Sequence, residues 1–288
     1  MKLRHDLEHD LEHTIPPAGG PDSQWLFSAM TARSLAWVDA VRGGCVVDLA
    51  SGMGQDTLAL AERAWHAFAA QRGGSPAPPL VLGIEPSQRM IRFGQHVQRQ
   101  RCRGLETANE GVVRVTGSPS AADLVRLVRG LGEEIPLRSE SVDALLCKGA
   151  LDHFMDPALT LLEIGRVLKP GGRVVIALAN YESLSCRLGR WLDRGRPRGS
   201  GAGHPYYEPP LDHLTRFTYA SIVALTRPPL RTRKVEGLSL LWGFSPWGRL
   251  LGRLPAPLQG VLLRLAGGIA RWRPSWADVV LLVAEKAR

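Results

Sequence analysis

The residues best equipped for chemistry begin at Val46-Val47-Asp48-Leu49-Ala50-Ser51-Gly52-Met53-Gly54. Two apolar β-formers and an acid run into a small-residue segment with two glycines, the pattern of a buried strand ending in a tight turn that feeds a helix. Gly52 and Gly54 carry no Cβ to keep a ligand off the backbone, and both accept positive φ. A helix starting there would point its unpaired N–H groups at whatever binds. The expectation is a nucleotide-like ligand at the carboxyl end of the first strand of an α/β sheet. A dinucleotide site asks for G-x-G-x-x-G. Here the run is Ala50-x-Gly52-x-Gly54-x-x-Thr57, and the third glycine is absent.

The same stretch resembles the D-x-G-x-G-x-G signature of class I S-adenosylmethionine-dependent methyltransferases, with Ala50 in the first glycine position. Three further segments carry the resemblance in order. Leu80-Val81-Leu82-Gly83-Ile84-Glu85-Pro86 reads as a second strand ending in an acid, which in this family takes both ribose hydroxyls through its two acceptor oxygens. Val142 to Phe154 matches the fourth strand and its turn, and Arg166-Val167-Leu168-Lys169-Pro170-Gly171-Gly172 the helix-turn-strand that follows. The resemblance covers about residues 45–180 and is similar to that of small-molecule methyltransferases of the ubiquinone/menaquinone type. It implies S-adenosyl-L-methionine as cofactor, held by Asp48, Ala50, Ser51, Gly52, Gly54, Glu85, Pro86 and Cys147. An acid near the third strand would accept from the adenine amino group. Glu133, just before Ile135-Pro136-Leu137, is preferred there over Glu134 and Ser118.

These residues need a scaffold. The apolar runs predict strands at Cys45–Leu49, Leu80–Ile84, Val112–Thr116, Val142–Cys147, Arg173–Leu178, Thr232–Leu238 and Ala277–Glu285. Helices are expected at Ser23–Arg42, Gln55–Ala70, Gln88–Arg101, Ala121–Arg129, Pro157–Val167 and Leu258–Trp272. The resemblance implies a Rossmann-like α/β sheet of seven strands, order 3-2-1-4-5-7-6, the last antiparallel, with helices on both faces. Residues 1–20 read as an appended tail and 21–288 as one domain, with its core at 45–180 and a substrate-lid region at 181–288.

The methyl acceptor in this family sits over the ends of the fourth and fifth strands. His153, just past the fourth strand, and His213, in the lid, are the candidate bases, because histidine titrates near neutral pH. Asp152 and Tyr207 are their candidate partners. No Asn/Asp-Pro-Pro-Tyr/Phe follows the fourth strand and no Pro precedes Cys147, which argues against adenine-N6 and cytosine-C5 methylation by those routes. The expected acceptor is a small or lipid-like molecule, with oxygen ahead of nitrogen or carbon.

The net charge of +9 is unevenly placed: residues 1–180 carry 19 basic and 20 acidic side chains, residues 181–288 carry 17 and 7. A basic third can attract nucleic acid, anionic lipid or acidic substrates, or be a solvated surface of an arginine-rich chain. An RNA methyltransferase docking through it and a non-catalytic S-adenosylmethionine-binding protein are the alternatives. On the predicted helix Leu258–Trp272, Leu258, Val261, Leu262, Leu265, Ile269 and Trp272 share one face, which either covers its own domain or lies over an apolar acceptor or a bilayer surface. No run of 18 uncharged apolar residues exists. The four cysteines have no metal or disulfide spacing, and Met1 to Asp6 lacks an apolar signal core, so a reduced, cytoplasmic setting is expected. His5, His9 and His13 fall at helical i, i+4, i+8 in the tail, but no metal site is assigned.

Overall fold

The computed structural model describes residues 20–38, 44–70, 79–107, 121–194, 207–209, 213–226 and 228–288. The tail histidines, the segment 112–116 and Ser118 lie outside them.

The sheet has seven strands, β1 (Cys45–Leu49), β2 (Leu80–Glu85), β3 (Val125–Arg129), β4 (Val142–Lys148), β5 (Leu168–Ala179), β6 (Leu230–Leu238) and β7 (Val279–Lys286), ordered β3-β2-β1-β4-β5-β7-β6. The first five pair in parallel, and β7 runs antiparallel between β5 and β6. The order matches the expectation. The central strands are apolar almost throughout because both faces are covered. Val47, Leu49, Leu145, Cys147 and Ile176 point into one core with Leu161, Ile164 and Ile222. Val46, Val81, Ala144, Leu146 and Val175 point into the other, with Leu26, Met30, Leu58 and Ala61.

That second core is roofed by α1 (Pro21–Val38) and α2 (Gln55–Ala69); α3 (Gln88–Thr107) follows β2. On the first face, α4 (Pro157–Val167) starts where Asp156 caps it, its side chain accepting from Leu159 N at 2.9 Å with proline in the first turn. Then come α5 (Leu184–Leu192), capped by Ser183, and α6 (Tyr219–Val223), opened by a Thr218–Ser221 capping box. Two helices, α7 (Ser245–Gly252) and α8 (Ala256–Trp272), lie between β6 and β7.

One helix expectation fails. The third strand is Val125–Arg129, where the sequence predicts a helix over Ala121–Arg129; only Ala121–Leu124 is helical, as a single 3-10 turn. The spacing of Leu124, Val125 and Val128 mimics a helix period. Val81 and Ile84 of β2, exposed at 0% and 1%, need a neighbouring strand at this edge, and Val125 and Val128 stand opposite them.

The orientation of α8 separates the two readings of its apolar stripe. It packs through Leu263, Gly267 and Ala270. A Cβ at Gly267 would collide with the Trp25 ring of α1. Leu258, Val261, Leu265, Ile269 and Trp272 are exposed instead, and Leu262 is half-buried, so that stripe does not cover its own domain.

Candidate functional site

Between β1 and β4 the chain order reverses, and the carboxyl ends of these strands open a crevice in which α/β sheets hold ligands. The glycine-containing turn lies at its floor. Ala50, Gly52 and Gly54 have φ of 59°, 53° and 78°, so the turn takes left-handed backbone three times in five residues. Gly54 N donates to Ser51 O at 2.8 Å, and α2 begins directly after it. Gly83 on β2 makes room: a Cβ there would lie 2.8 Å from Ser51 Oγ and 2.9 Å from Thr57 Oγ1.

Glu85 closes the turn from the next strand. Its Oε2 accepts from Gly52 N and its Oε1 from Ser87 N, both at 2.9 Å. The carboxylate is buried, and a carboxylate has acceptor capacity for about four hydrogen bonds; these two backbone contacts fix its place at the turn. Asp48 lies beneath, accepting from Thr57 Oγ1 at 2.7 Å. Burial, then the nearby Asp56 charge, pushes the Asp48 carboxyl up to about 7, against the opposing pull of Thr57 and Lys148. The buried Ser51 Oγ has no hydrogen-bond partner among the described residues. A buried hydroxyl in that state is costly unless something meets it. A Cβ at Gly149, just past β4, would meet nothing within 4 Å, so the crevice is open on that side. A fixed carboxylate, an orphan hydroxyl, a left-handed turn and this open space fit a ribose-bearing ligand.

Lys148 is a residue that sequence reasoning missed. From the end of β4 its Nζ reaches Asp56 Oδ2 at 2.5 Å and donates to Thr31 Oγ1 at 2.7 Å. It joins α1 to the first turn of α2 across the crevice. Cys147, expected beside the cofactor, turns its side chain into the core, fully buried, and burial pushes the thiol well above its usual range. Glu133 lies beyond β3, where its Oε1 accepts from Met155 N at 2.8 Å and Asp156 N at 3.3 Å, tying that loop to the start of α4. With β3 at Val125–Arg129, the turn after the third strand is Gly130-Leu131-Gly132, and Leu131 stands where the resemblance has an acid.

The second cluster stands over β4 and β5. Asp152 Oδ2 lies 2.8 Å from His213 Nδ1, and Tyr181 Oη 2.9 Å from the same nitrogen. The His153 and His213 rings meet edge to face with centroids 4.4 Å apart. The lid segment carrying His213 is anchored on the β4 turn by Thr215 N donating to Asp152 O at 3.1 Å. Burial raises Asp152, but the hydrogen bond from His213 and the nearness of both imidazoles more than offset it, holding the carboxyl below its usual range. An ionised Asp152 must accept, so His213 donates from Nδ1 and its basic lone pair is on Nε2. Asp152, His153 and His213 each bring one ligand-capable atom within 4.8 Å of the others. Both histidines expected from sequence are thus brought together with Asp152. Tyr207 is not; it donates to Asp193 Oδ2 at 2.5 Å. Tyr181 takes its place, a residue whose type carried no signal in the chain.

A family model described as a methyltransferase domain matches residues 47–176. An uncharacterized methyltransferase of Mycobacterium tuberculosis is 34% identical over 114 residues, covering 36% of this chain and 46% of that protein. A demethylmenaquinone methyltransferase of Corynebacterium kroppenstedtii is 30% identical over 158 residues, covering 55% and 49%. The chain thus spans about half the length of the curated relatives it matches. Among solved structures, the [4+2]-cyclase SpnF superposes with a TM-score of 0.55 at 16% identity, covering 90% of this chain and 81% of that one, a likeness of fold.

Proposed function

We propose, for a chain whose residues 47–176 belong to the class I S-adenosylmethionine-dependent methyltransferase family, that it methylates a hydroxyl-bearing small or lipid-like molecule with His213 as the base. When bound, S-adenosylmethionine supplies an electrophilic methyl group on a sulfonium. Glu85 would accept from the ribose hydroxyls while the Gly52–Gly54 turn seats the remainder and the α2 N-terminus faces it. Asp48 supports the turn through Thr57 rather than by direct reach.

The observation that carries the acceptor reading is the Asp152–His213 pair. The side chains of this chain do little to the methyl group itself; they position the two reactants and remove a proton. His213 Nε2 would take the acceptor's hydroxyl proton, and Asp152 would hold the imidazole in orientation and stabilise its protonated form, the division of labour of an Asp–His pair. Tyr181 contacts the same nitrogen and adds to the hold on the ring. A deprotonated aromatic hydroxyl is nucleophilic at oxygen and at conjugated carbon. Oxygen is the first reading. Carbon is the second, favoured by the relative named as a demethylmenaquinone methyltransferase.

The test has two stages. Calorimetry with S-adenosylmethionine, S-adenosylhomocysteine and NAD(H) should show micromolar binding of the first two and none of the third. Mass spectrometry of hydroxylated acceptors incubated with labelled S-adenosylmethionine then locates the methyl group on oxygen or carbon. Failure of both sulfur ligands to bind overturns the cofactor reading. Methylation of added RNA, with binding that weakens steeply in salt, overturns the small-acceptor reading.

A further inference from the structure

Residues 245–276, the whole connection between β6 and β7 apart from short flanks, contain five arginines and no aspartate or glutamate. Within them α8 is apolar on two opposite sides. One side, Leu263, Gly267 and Ala270, is packed against the body of the protein. The other, Leu258, Val261, Leu265, Ile269 and Trp272, is turned outward, with Leu265 60% and Trp272 70% exposed. Trp276, 38% exposed, follows at the end of the helix. At 100° per residue, Arg264 and Arg271 fall between the packed and the outward sides, and both are exposed, as are Arg253 and Arg273. The Arg273 guanidinium lies 4.7 Å from the Trp272 ring centroid.

An outward apolar stripe bordered by arginine and ended by tryptophan is the pattern of a helix lying in the plane of a lipid surface. We propose that α8 docks the protein on anionic phospholipid bilayers, its stripe entering the headgroup boundary while Arg253, Arg264, Arg271 and Arg273 meet lipid phosphates. Charge selects this occupant over a second copy of the chain. A two-fold contact through this face would set arginines against arginines with no acid in the segment to answer them. A bilayer rich in acidic headgroups supplies the missing negative charge and apolar depth together. Among the described residues no helix is long and apolar enough to cross a membrane, and a surface-bound helix needs none.

The test is co-sedimentation of the full chain with vesicles of 70:30 phosphatidylcholine and phosphatidylglycerol, without S-adenosylmethionine or acceptor, so that the outcome is independent of the methyl-transfer reading. Binding is expected, at least tenfold tighter than to pure phosphatidylcholine and weakened by salt. Leu265→Glu with Ile269→Glu should lower the partition coefficient at least tenfold while the thermal melt stays unchanged, because both side chains are exposed. Arg264→Glu with Arg271→Glu should abolish the preference for the anionic vesicles. Absence of wild-type binding, or equal binding by the Leu265/Ile269 variant, overturns the proposal. So does a dimer, seen by light scattering and broken by that same variant, in a chain that ignores vesicles.

Discussion

Asp152 Oδ2 and His213 Nδ1 are 2.8 Å apart, although one belongs to the turn after β4 and the other to the lid. If this pair moves the acceptor's proton, His213→Ala should lower kcat by roughly 10²–10⁴-fold, leave S-adenosylmethionine affinity unchanged and remove the acidic limb of the pH–rate profile. Asp152→Asn is a positioning change. It should lower kcat with little effect on KM and shift that limb rather than erase it. A His213→Ala enzyme with the wild-type profile would leave the base unassigned to this residue.

The same three side chains, Asp152, His153 and His213, are close enough to suggest a cation. The Nδ1 atom of His213 already faces both Asp152 and Tyr181, and its Nε2 is the atom assigned above to the acceptor's proton. We expect turnover to survive dialysis against EDTA. Loss of activity restored by a divalent metal would replace the base by a metal site.

Glu85 holds both the turn and the proposed ribose. Glu85→Gln replaces one acceptor oxygen by an amide donor facing a backbone N–H. Its S-adenosylmethionine Kd should rise at least tenfold by calorimetry, with an intact far-ultraviolet circular dichroism spectrum. An unchanged Kd would remove Glu85 from the cofactor site.

Asp48 and Asp278 give the stability a distinctive pH dependence. Burial raises both folded carboxyls, Asp48 to about 7 and Asp278 to about 6, the latter against hydrogen bonds from Ser185 and Trp242 N. The folded protein therefore binds more protons than the unfolded chain between the ordinary aspartate value and those values. Stability from these groups is fully present below about pH 4 and is lost as pH rises through 6 to 7. Asp152 contributes with the opposite sign, because its folded carboxyl is depressed: its contribution is present above the ordinary aspartate value and lost on further acidification. Denaturant melts from pH 4.5 to 8 should show declining stability, and Asp48→Asn should flatten the decline. A wild-type curve that rises over this range would contradict the burial argument.

Ala50 occupies a left-handed conformation, φ 59°, that costs a residue with a Cβ about 1 kcal/mol. Ala50→Gly should relieve this at some entropic cost to folding, leaving stability within about 1 kcal/mol of wild type. Affinity for S-adenosylmethionine should be unchanged or tighter. A tenfold loss would mean that the Ala50 methyl group contacts the ligand.

The parts legible in the sequence share a cause. β1, β2 and β4 are buried on both faces, so their apolar runs stand out, and the acids and glycines at their ends are local signals. β3 was hidden because Arg126 and Arg129 interrupt an edge strand whose Leu124, Val125 and Val128 imitate a helix. The spacing from Gly130 to Ile135-Pro136-Leu137 is the signal in the chain that points to it, one that the expectation of a helix over Ala121–Arg129 did not use. His153 and His213 were visible by type. Tyr181 and Lys148 were not, because what distinguishes them is the atom across the crevice, and side-chain reach between distant segments leaves no trace in local spacing.

Gly267 has a consequence beyond tight packing. A helix with two apolar stripes could seat itself either way round, and composition alone does not choose between them. The missing Cβ at position 267 receives the Trp25 indole and makes the choice. Together with Gly237 on β6, where a Cβ would collide with Ala270 O, this absent methyl group sets which row of side chains the protein keeps for itself and which it shows to its surroundings. Drift at this position would press a Cβ into the Trp25 ring and unseat α8 from α1.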